Sequence, residues 1–310
     1  MSLPILREAW RGHRGLVTLA AACVPCALAV LMIGAVDART ITGAPAWNKP
    51  LKFFLSAGVY AVTFAWYLAM WPPGGRGARL RAILGDVVAA MLALELLLIA
   101  MQAARGVGSH FNVGTPIDRA IFNAMGLAIL TLAVAHAALW GLLLRARWDD
   151  RATLSACRWG AGVSLAGLLV GALMVVPTPA QREALRAGTR EVTRGAHTVG
   201  RADGGPGLPF VGWSTEAGDR RVPHFVGLHA MQVVPLALLP VSAMAPRARQ
   251  RLVTGAGVAC LVLTVLAWLQ AEAGRPVNRT GTMLGVLSVL AVLAWGVAMR
   301  EGWRRDRSTT

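Results

Sequence analysis

An all-α, polytopic integral membrane protein with eight transmembrane helices and both termini in the cytoplasm is the fold this sequence predicts, on three observations. Of 310 residues, 55% are apolar and 15% charged, with a mean hydropathy of +0.54. That is the balance of a chain whose surface meets mostly lipid. Eight apolar runs, 15–36, 51–71, 82–104, 120–144, 153–176, 225–244, 252–270 and 280–299, each approach the ~20 residues a helix needs to cross a hydrocarbon core. The cations, finally, lie between the runs and alternate with them.

With the N-terminus inside, Arg7, Arg11 and Arg14, then Arg76, Arg79 and Arg81, then Arg145, Arg147 and Arg151, then Arg247, Arg249 and Arg251, then Arg300, Arg304, Arg305 and Arg307 all face the cytoplasm. Every short inner segment is then basic. The long 177–223 segment also carries arginines and falls outside, but long loops translocate largely regardless of charge. The first run lacks a small-residue cleavage site near a polar flank, so it reads as a helix and not as a removable signal. Residues 1–310 therefore read as a single transmembrane domain, with 177–223 as an extracytoplasmic loop able to serve as a lid. The net charge of +16 expresses topology. No nucleic-acid motif accompanies it, and a nucleic-acid partner is not expected. Usage rich in arginine and alanine and poor in lysine points to a bacterial source of high GC content, hence to the bacterial plasma (inner) membrane.

Cys23-Val24-Pro25-Cys26 has the spacing of a thiol redox motif. Its place mid-way along the first run favours instead cysteine as a small buried apolar residue. Gly167 and Gly171, four apart in the fifth run, read as a close helix contact.

Three polar stretches collect on the outer side. The first is Asn48-Lys49-Pro50-Leu51-Lys52-Phe53. Arginine outnumbers lysine 29 to 2 in this chain, yet both lysines stand here. A compact ammonium that can be desolvated differs from a forked guanidinium, so the pair marks a site, unless it only snorkels at a helix start. The second stretch runs from Gln102 and Arg105 through Ser109-His110-Phe111-Asn112 to Thr115-Pro116-Ile117-Asp118. The last four read structurally: Thr115 as N-cap, Pro116 in the first turn, Asp118 closing a capping box. His110 has no such account. The third approaches the sixth run through 204–209, rich in glycine and proline, then Trp213 and 218–225. Residues 178–198 before it have charge spacing suited to a short amphipathic helix.

The sixth run carries His229 and Gln232 on one face. His224 and His229 are five apart, about 140° around a helix axis, so they share a ligand only if the helix begins after His224, at Pro223. By helical rise His229 and Gln232 lie roughly 6 to 12 Å below the outer end and Glu95 of the third run roughly 12 to 14 Å below its own. An ionisable group at membrane depth costs about 2.5 kcal/mol or more unless partnered. His229 is the expected partner of Glu95, and Gln102, seven residues on, continues a polar track outward. His136 lies near the cytoplasmic side, out of reach.

These residues predict an outward-facing pocket, rich in histidine and cations, for a lipid, a quinone or another anionic amphiphile. The leading expectation is a membrane enzyme. Glu95, His110 and His229 supply acid and base, and Lys49, Lys52, Gln102, Arg105, Asn112, Arg221 and Gln232 bind substrate. His110, His224 and His229 are the expected ligands of a metal ion or of haem b, since no CxxCH is present for c-type attachment. Haem A synthases share the helix count but not this histidine placement, and the helical HxxxH of zinc-dependent ceramidases and adiponectin receptors is missing. The rival expectation is a transporter or proton-coupled permease relaying protons through Glu95 and His229.

Overall fold

A computed structural model describes residues 3–279, apart from 73, 76, 190 and 191, together with 285 and 296. The described elements are α1 (Leu3–Gly12), α2 (Arg14–Val36), β1 (Thr40–Ile41), β2 (Ala44–Pro45), α3 (Asn48–Ala69), α4 (Ala78–Ala104), α5 (Pro116–Arg145), α6 (Arg151–Leu173), α7 (Pro179–Arg186), β3 (Thr198–Val199), β4 (Gly218–Asp219), α8 (Arg221–Leu228), α9 (Ala230–Leu236) and α10 (Pro246–Glu272). The strands form two minimal antiparallel pairs, β1 with β2 and β3 with β4.

Six helices, α2 to α6 and α10, are long and apolar enough to cross a membrane. They answer to the first five and the seventh of the expected runs. Their outward faces carry exposed large apolar side chains, among them Leu28 and Met32 on α2, Leu97 on α4, and Leu127, Leu130 and Val134 on α5. Tyr60, Phe64, Tyr67, Leu92, Leu139 and Leu154 fill the interior. Apolar residues on both sides of a helix are what a lipid-facing bundle needs. The eighth run, 280–299, and Arg76, Arg300, Arg304, Arg305 and Arg307 lie outside the described residues, save Gly285 and Gly296.

The helix ends follow local chemistry. Thr115 caps α5 by accepting from the Asp118 N–H at 3.1 Å, with Pro116 at the first position, and Asp150 caps α6 through Ala152 and Thr153. His13 caps α2 by accepting from Leu16 N–H and reaches Asp86 on α4 at 3.3 Å. The expected 178–198 helix is shorter: α7 covers Pro179–Arg186, closed at its start by a Thr178–Gln181 capping box.

The sixth expected run, 225–244, needs correction. The chain forms α8, breaks at His229, forms α9, and continues in turns to Ala243. Pro235 in α9 removes a backbone donor, and the Leu236–Leu239 stretch tightens into i to i−3 bonds. The start differs as well. Asp219 accepts from the Arg221 N–H at 2.9 Å, so α8 begins at Arg221 and places His224 inside its first turns. Pro223 sits where a missing N–H costs nothing.

α3 packs against α1, α2 and α4, and α6 packs against α5, α8, α9 and α10. The α6–α8 contact is backbone on backbone, because a Cβ on Gly167 would run into Gly227 and Leu228, and one on Gly171 into the His224 ring. Gly167→Leu is therefore expected to destabilise the protein by about 1–3 kcal/mol through overpacking and to release His224. Thermal unfolding in detergent checks this, with Gly126→Ala as control, since Gly126 has nothing near its Cβ position. An unchanged melting temperature for Gly167→Leu would show that α6 and α8 do not meet this closely.

Candidate functional site

The first turn of α3, the last turns of α4, the start of α5, the end of α6 and the start of α8 share one end of the bundle, and segments 37–47, 105–115 and 177–220 close over it. Several ties join them. Arg39 donates to the Ala104 carbonyl at 3.0 Å, and Asp37 accepts from both Arg39 and Trp47. Asn112 bridges Thr193. Arg220 pairs with Glu272 through two hydrogen bonds of 2.6 and 2.9 Å. The 177–220 segment is thus pinned to α10, to the 105–115 loop and to α3.

Beneath it the two lysines do meet other chemistry. Lys49 Nζ lies 3.0 Å from His110 Nδ1, and Ser109 Oγ is 3.2 Å from the same nitrogen. An ammonium only donates, so when Lys49 is protonated His110 Nδ1 accepts and its proton sits on Nε2. Lys52 Nζ donates to the Val211 carbonyl at 3.0 Å. Arg221 is held by Asp219 and by the Gly212 carbonyl, each at 2.6 Å. Lys49, Lys52 and Arg221 nonetheless act electrostatically on one another, and Lys49 and Arg221 on His197. His110 in turn lies within reach of His197 and His224. Phe53 and Phe111 line the space, with ring centroids 5.9 and 6.2 Å from His110. The lysines and histidines here are half-buried.

His224 donates from Nδ1 to the Gly167 carbonyl at 2.8 Å, a bond that the glycine contact of α6 and α8 permits. His229 sits at the break between α8 and α9, its ring tilted against Phe225 with centroids 4.2 Å apart and its Nδ1 3.3 Å from Gln232 Oε1. Gln232 donates onward to Thr63 at 3.2 Å. Among the described residues no three histidine, cysteine, aspartate or glutamate side chains converge to hold a metal ion. The expected ligand set His110, His224 and His229 is accordingly not assembled, because the Nδ1 atoms turn to Lys49, Gly167 and Gln232 and the His224–His229 spacing spreads them around the axis.

No family model matches the chain, and no curated protein or solved structure is significantly similar to it. The site must be read from its own chemistry.

Glu95 is 3% exposed, and neither carboxylate oxygen has a hydrogen-bond partner. The charge that reaches it is Lys49. The expected Glu95–His229 pairing is thus corrected, since His229 faces Gln232 and Phe225. Gln102 and Arg105, expected to bind substrate, turn to Asp118 at 3.0 and 2.8 Å, and Arg105 also bonds Gln102. They brace the entry to α5. Asn112 accepts from the Gly114 N–H at 3.1 Å, a local turn bond. His136 is fully buried and doubly satisfied: the Tyr60 hydroxyl donates to Nδ1 at 2.6 Å and Nε2 donates to the Ala161 carbonyl at 2.9 Å. All four cysteines are free, Cys23 buried and Cys26 exposed on the same helix.

Two residues of this crevice escaped the sequence reading, His197 and Asp203, whose side chains meet at 2.7 Å. Their only signal was a carboxylate six residues after a histidine in a glycine-rich stretch. Burial, then Lys49 and the other imidazoles, hold His110 well below the ordinary histidine range. His197 is also lowered, by burial first and against the pull of Asp203.

Proposed function

We propose that the chain is an eight-span enzyme of the bacterial plasma membrane, with cytoplasmic termini and its loop-rich end outside. On this reading it binds an anionic amphiphile, a lipid or a quinone-like headgroup, in the crevice under segment 177–220 and acts on it by proton transfer. The observation that carries the reading is the gathering of three basic side chains, Lys49, Lys52 and Arg221, with the imidazoles of His110 and His197 beside the rings of Phe53 and Phe111 at the end of an apolar bundle. Of the nearby acids, Asp219 is engaged with Arg221 and Asp203 with His197, while Glu95 lies within electrostatic reach of Lys49. Uncommitted N–H donors of the cations then favour an anion. Apolar helix faces beside the crevice give an acyl or isoprenoid chain its place.

The transport reading draws less support. It needs Glu95 and His229 to face each other and a polar route beyond them. Tyr60 lies about 18 Å along α3 from its start by helical rise. There Tyr60, Phe64 and His136 are buried with ring centroids 6.0 to 6.3 Å apart, which closes the interior.

The test is lipid retention. Full-length protein in nanodiscs of mixed phosphatidylcholine and phosphatidylglycerol, released for native mass spectrometry, is expected to keep the anionic lipid in preference by about tenfold, a difference of ~1.4 kcal/mol. Lys52→Met should remove most of that preference. Equal retention of the two lipids would count against an anionic ligand.

A further inference from the structure

The 197–203 turn is built around Asp203. Its carboxylate accepts the backbone N–H of His197 at 3.0 Å to both oxygens, the N–H of Thr198 at 3.0 Å and the Thr198 hydroxyl at 2.8 Å. Its Oδ2 stands 2.7 Å from His197 Nδ1. Burial pulls this carboxyl upward, but the bonds from His197 and Thr198 outweigh it and hold Asp203 well below the usual carboxylate range. A carboxylate that stays ionised only accepts, so His197 carries its proton on Nδ1 and leaves a lone pair on Nε2.

Its backbone and one edge of its ring are held as well. The His197 carbonyl accepts from the Arg220 N–H at 2.9 Å, extending the β3–β4 pairing of Thr198 with Asp219 and setting His197 beside the Arg221 turn. Phe111 packs edge-on against it at 4.8 Å. Phe111 itself has φ +65°, in the left-handed region, a conformation that costs a non-glycine residue about 1–3 kcal/mol and persists where surroundings impose it. The Arg194 N–H bonded to the Phe111 carbonyl at 2.8 Å imposes it here. Nε2 of His197 has no protein partner among the described residues, and the side chain is 25% exposed. Lys49, Arg221, His110 and His224 all lie within its electrostatic reach.

A staple for the 177–220 segment would need Asp203 but not an imidazole with one nitrogen fixed and the other unpartnered, within electrostatic reach of Lys49 and Arg221. A carboxylate that sets the tautomer and orientation of a histidine is the arrangement that prepares a base. We propose that His197, oriented by Asp203, is the general base of this crevice, its Nε2 accepting the proton of a hydroxyl group or water molecule held beside an anionic head bound by Lys52 and Arg221. The O–H bond breaks, its electron pair stays on oxygen, the N–H bond forms on Nε2, and Asp203 balances the imidazolium charge. Lys49 and Arg221 favour the oxyanion so formed. The inference rests on the anionic amphiphile proposed above.

The experiment uses full-length protein in phosphatidylcholine nanodiscs, dodecyl phosphate as the probe, and diethyl pyrocarbonate, which acylates unprotonated imidazole nitrogen, with the labelled histidines resolved by mass spectrometry. Binding of the probe is followed separately by calorimetry. His197 is expected to label readily, and the probe at ten times its dissociation constant to slow that labelling about tenfold by mass action. Asp203→Asn, whose amide can donate to Nδ1 and move the proton to Nε2, should suppress His197 labelling about tenfold or more. Because that variant also loses an anchor of the segment, the 15N spectrum of histidine-labelled wild-type protein gives an independent reading, with an unprotonated Nε2 expected at His197. A probe that binds without shielding His197, or an Nε2-protonated tautomer, would overturn the base assignment and leave the anion site standing. Failure of the probe to bind would overturn both.

Discussion

Lys49→Met is expected to abolish the roughly tenfold preference for the anionic lipid, and Lys49→Arg is expected not to restore it. A charge-assisted hydrogen bond in a partly desolvated site is worth about 1.5–3 kcal/mol, enough to account for the ~1.4 kcal/mol of a tenfold preference. One of the three ammonium protons goes to His110 at 3.0 Å, which leaves two for a ligand. Methionine keeps the length and the apolar packing over Phe53, whose ring centroid is 5.8 Å from Nζ, so the loss isolates the charge. Arginine keeps the charge but spreads it over a planar fork. That fork cannot enter the space between His110 and Phe53 without displacing one of them. Retention measured as for the wild type, with thermal unfolding to show that both variants fold, decides the matter. Rescue by arginine would mean that any cation serves, and the special standing of the two lysines would fall away.

Why those lysines were legible in the sequence, while other parts of the site were not, has a physical basis. A chain with 29 arginines and 2 lysines advertises the positions where an ammonium survives, and both stand in the crevice. The Thr115–Asp118 cap is equally local, a matter of four consecutive residues, and it stands at 3.1 Å. The Gly167 contact was readable because small residues four apart imply close helices, although only the fold names Gly227 as the partner. Of the eight expected runs, hydropathy alone located the six helices that are long and apolar enough to cross a membrane. The break at His229 did not, because average hydropathy over 225–244 is blind to the turn geometry around Pro235. Glu95, singled out as an ionisable group in the third apolar run, is buried, but its charge partner is Lys49, a residue 46 positions away whose approach is set by the packing of α3 on α4. His197 and Asp203 carried almost no signal. Their meaning depends on the 177–220 segment folding back onto the bundle, which Arg220–Glu272 and the Asn112–Thr193 bridge bring about.

Acidification from pH 7 to pH 5 is expected to loosen the loop-rich end while leaving the helices closed. His110 is held well below the ordinary range of histidine by burial, then by Lys49, His197 and His224. The folded protein therefore keeps this imidazole neutral, while the unfolded chain takes up a proton below its ordinary pKa of about 6.5. The unfolded state then binds more protons as pH falls, so stability is full above about 6.5 and is lost below it, by up to ~1.4 kcal/mol per pH unit for each such histidine. His197 has the same sign, reduced by its bond to Asp203. Asp203 works in another window: its folded pKa is depressed, so its contribution is intact above the unfolded value of about 3.9 and is lost only below it. Within the loops the change between pH 6.5 and 5 thus comes from His110 and His197, and because they join the 105–115 and 192–220 segments it favours local opening there. Hydrogen exchange, corrected for the intrinsic effect of pH, should show peptides from these two segments gaining about tenfold in opening, the equivalent of ~1.4 kcal/mol, with peptides from α5 unchanged. His110→Asn should remove a large part of the response. Exchange that rises equally along α5, or not at all, would show that these imidazoles are not held neutral by the closed crevice.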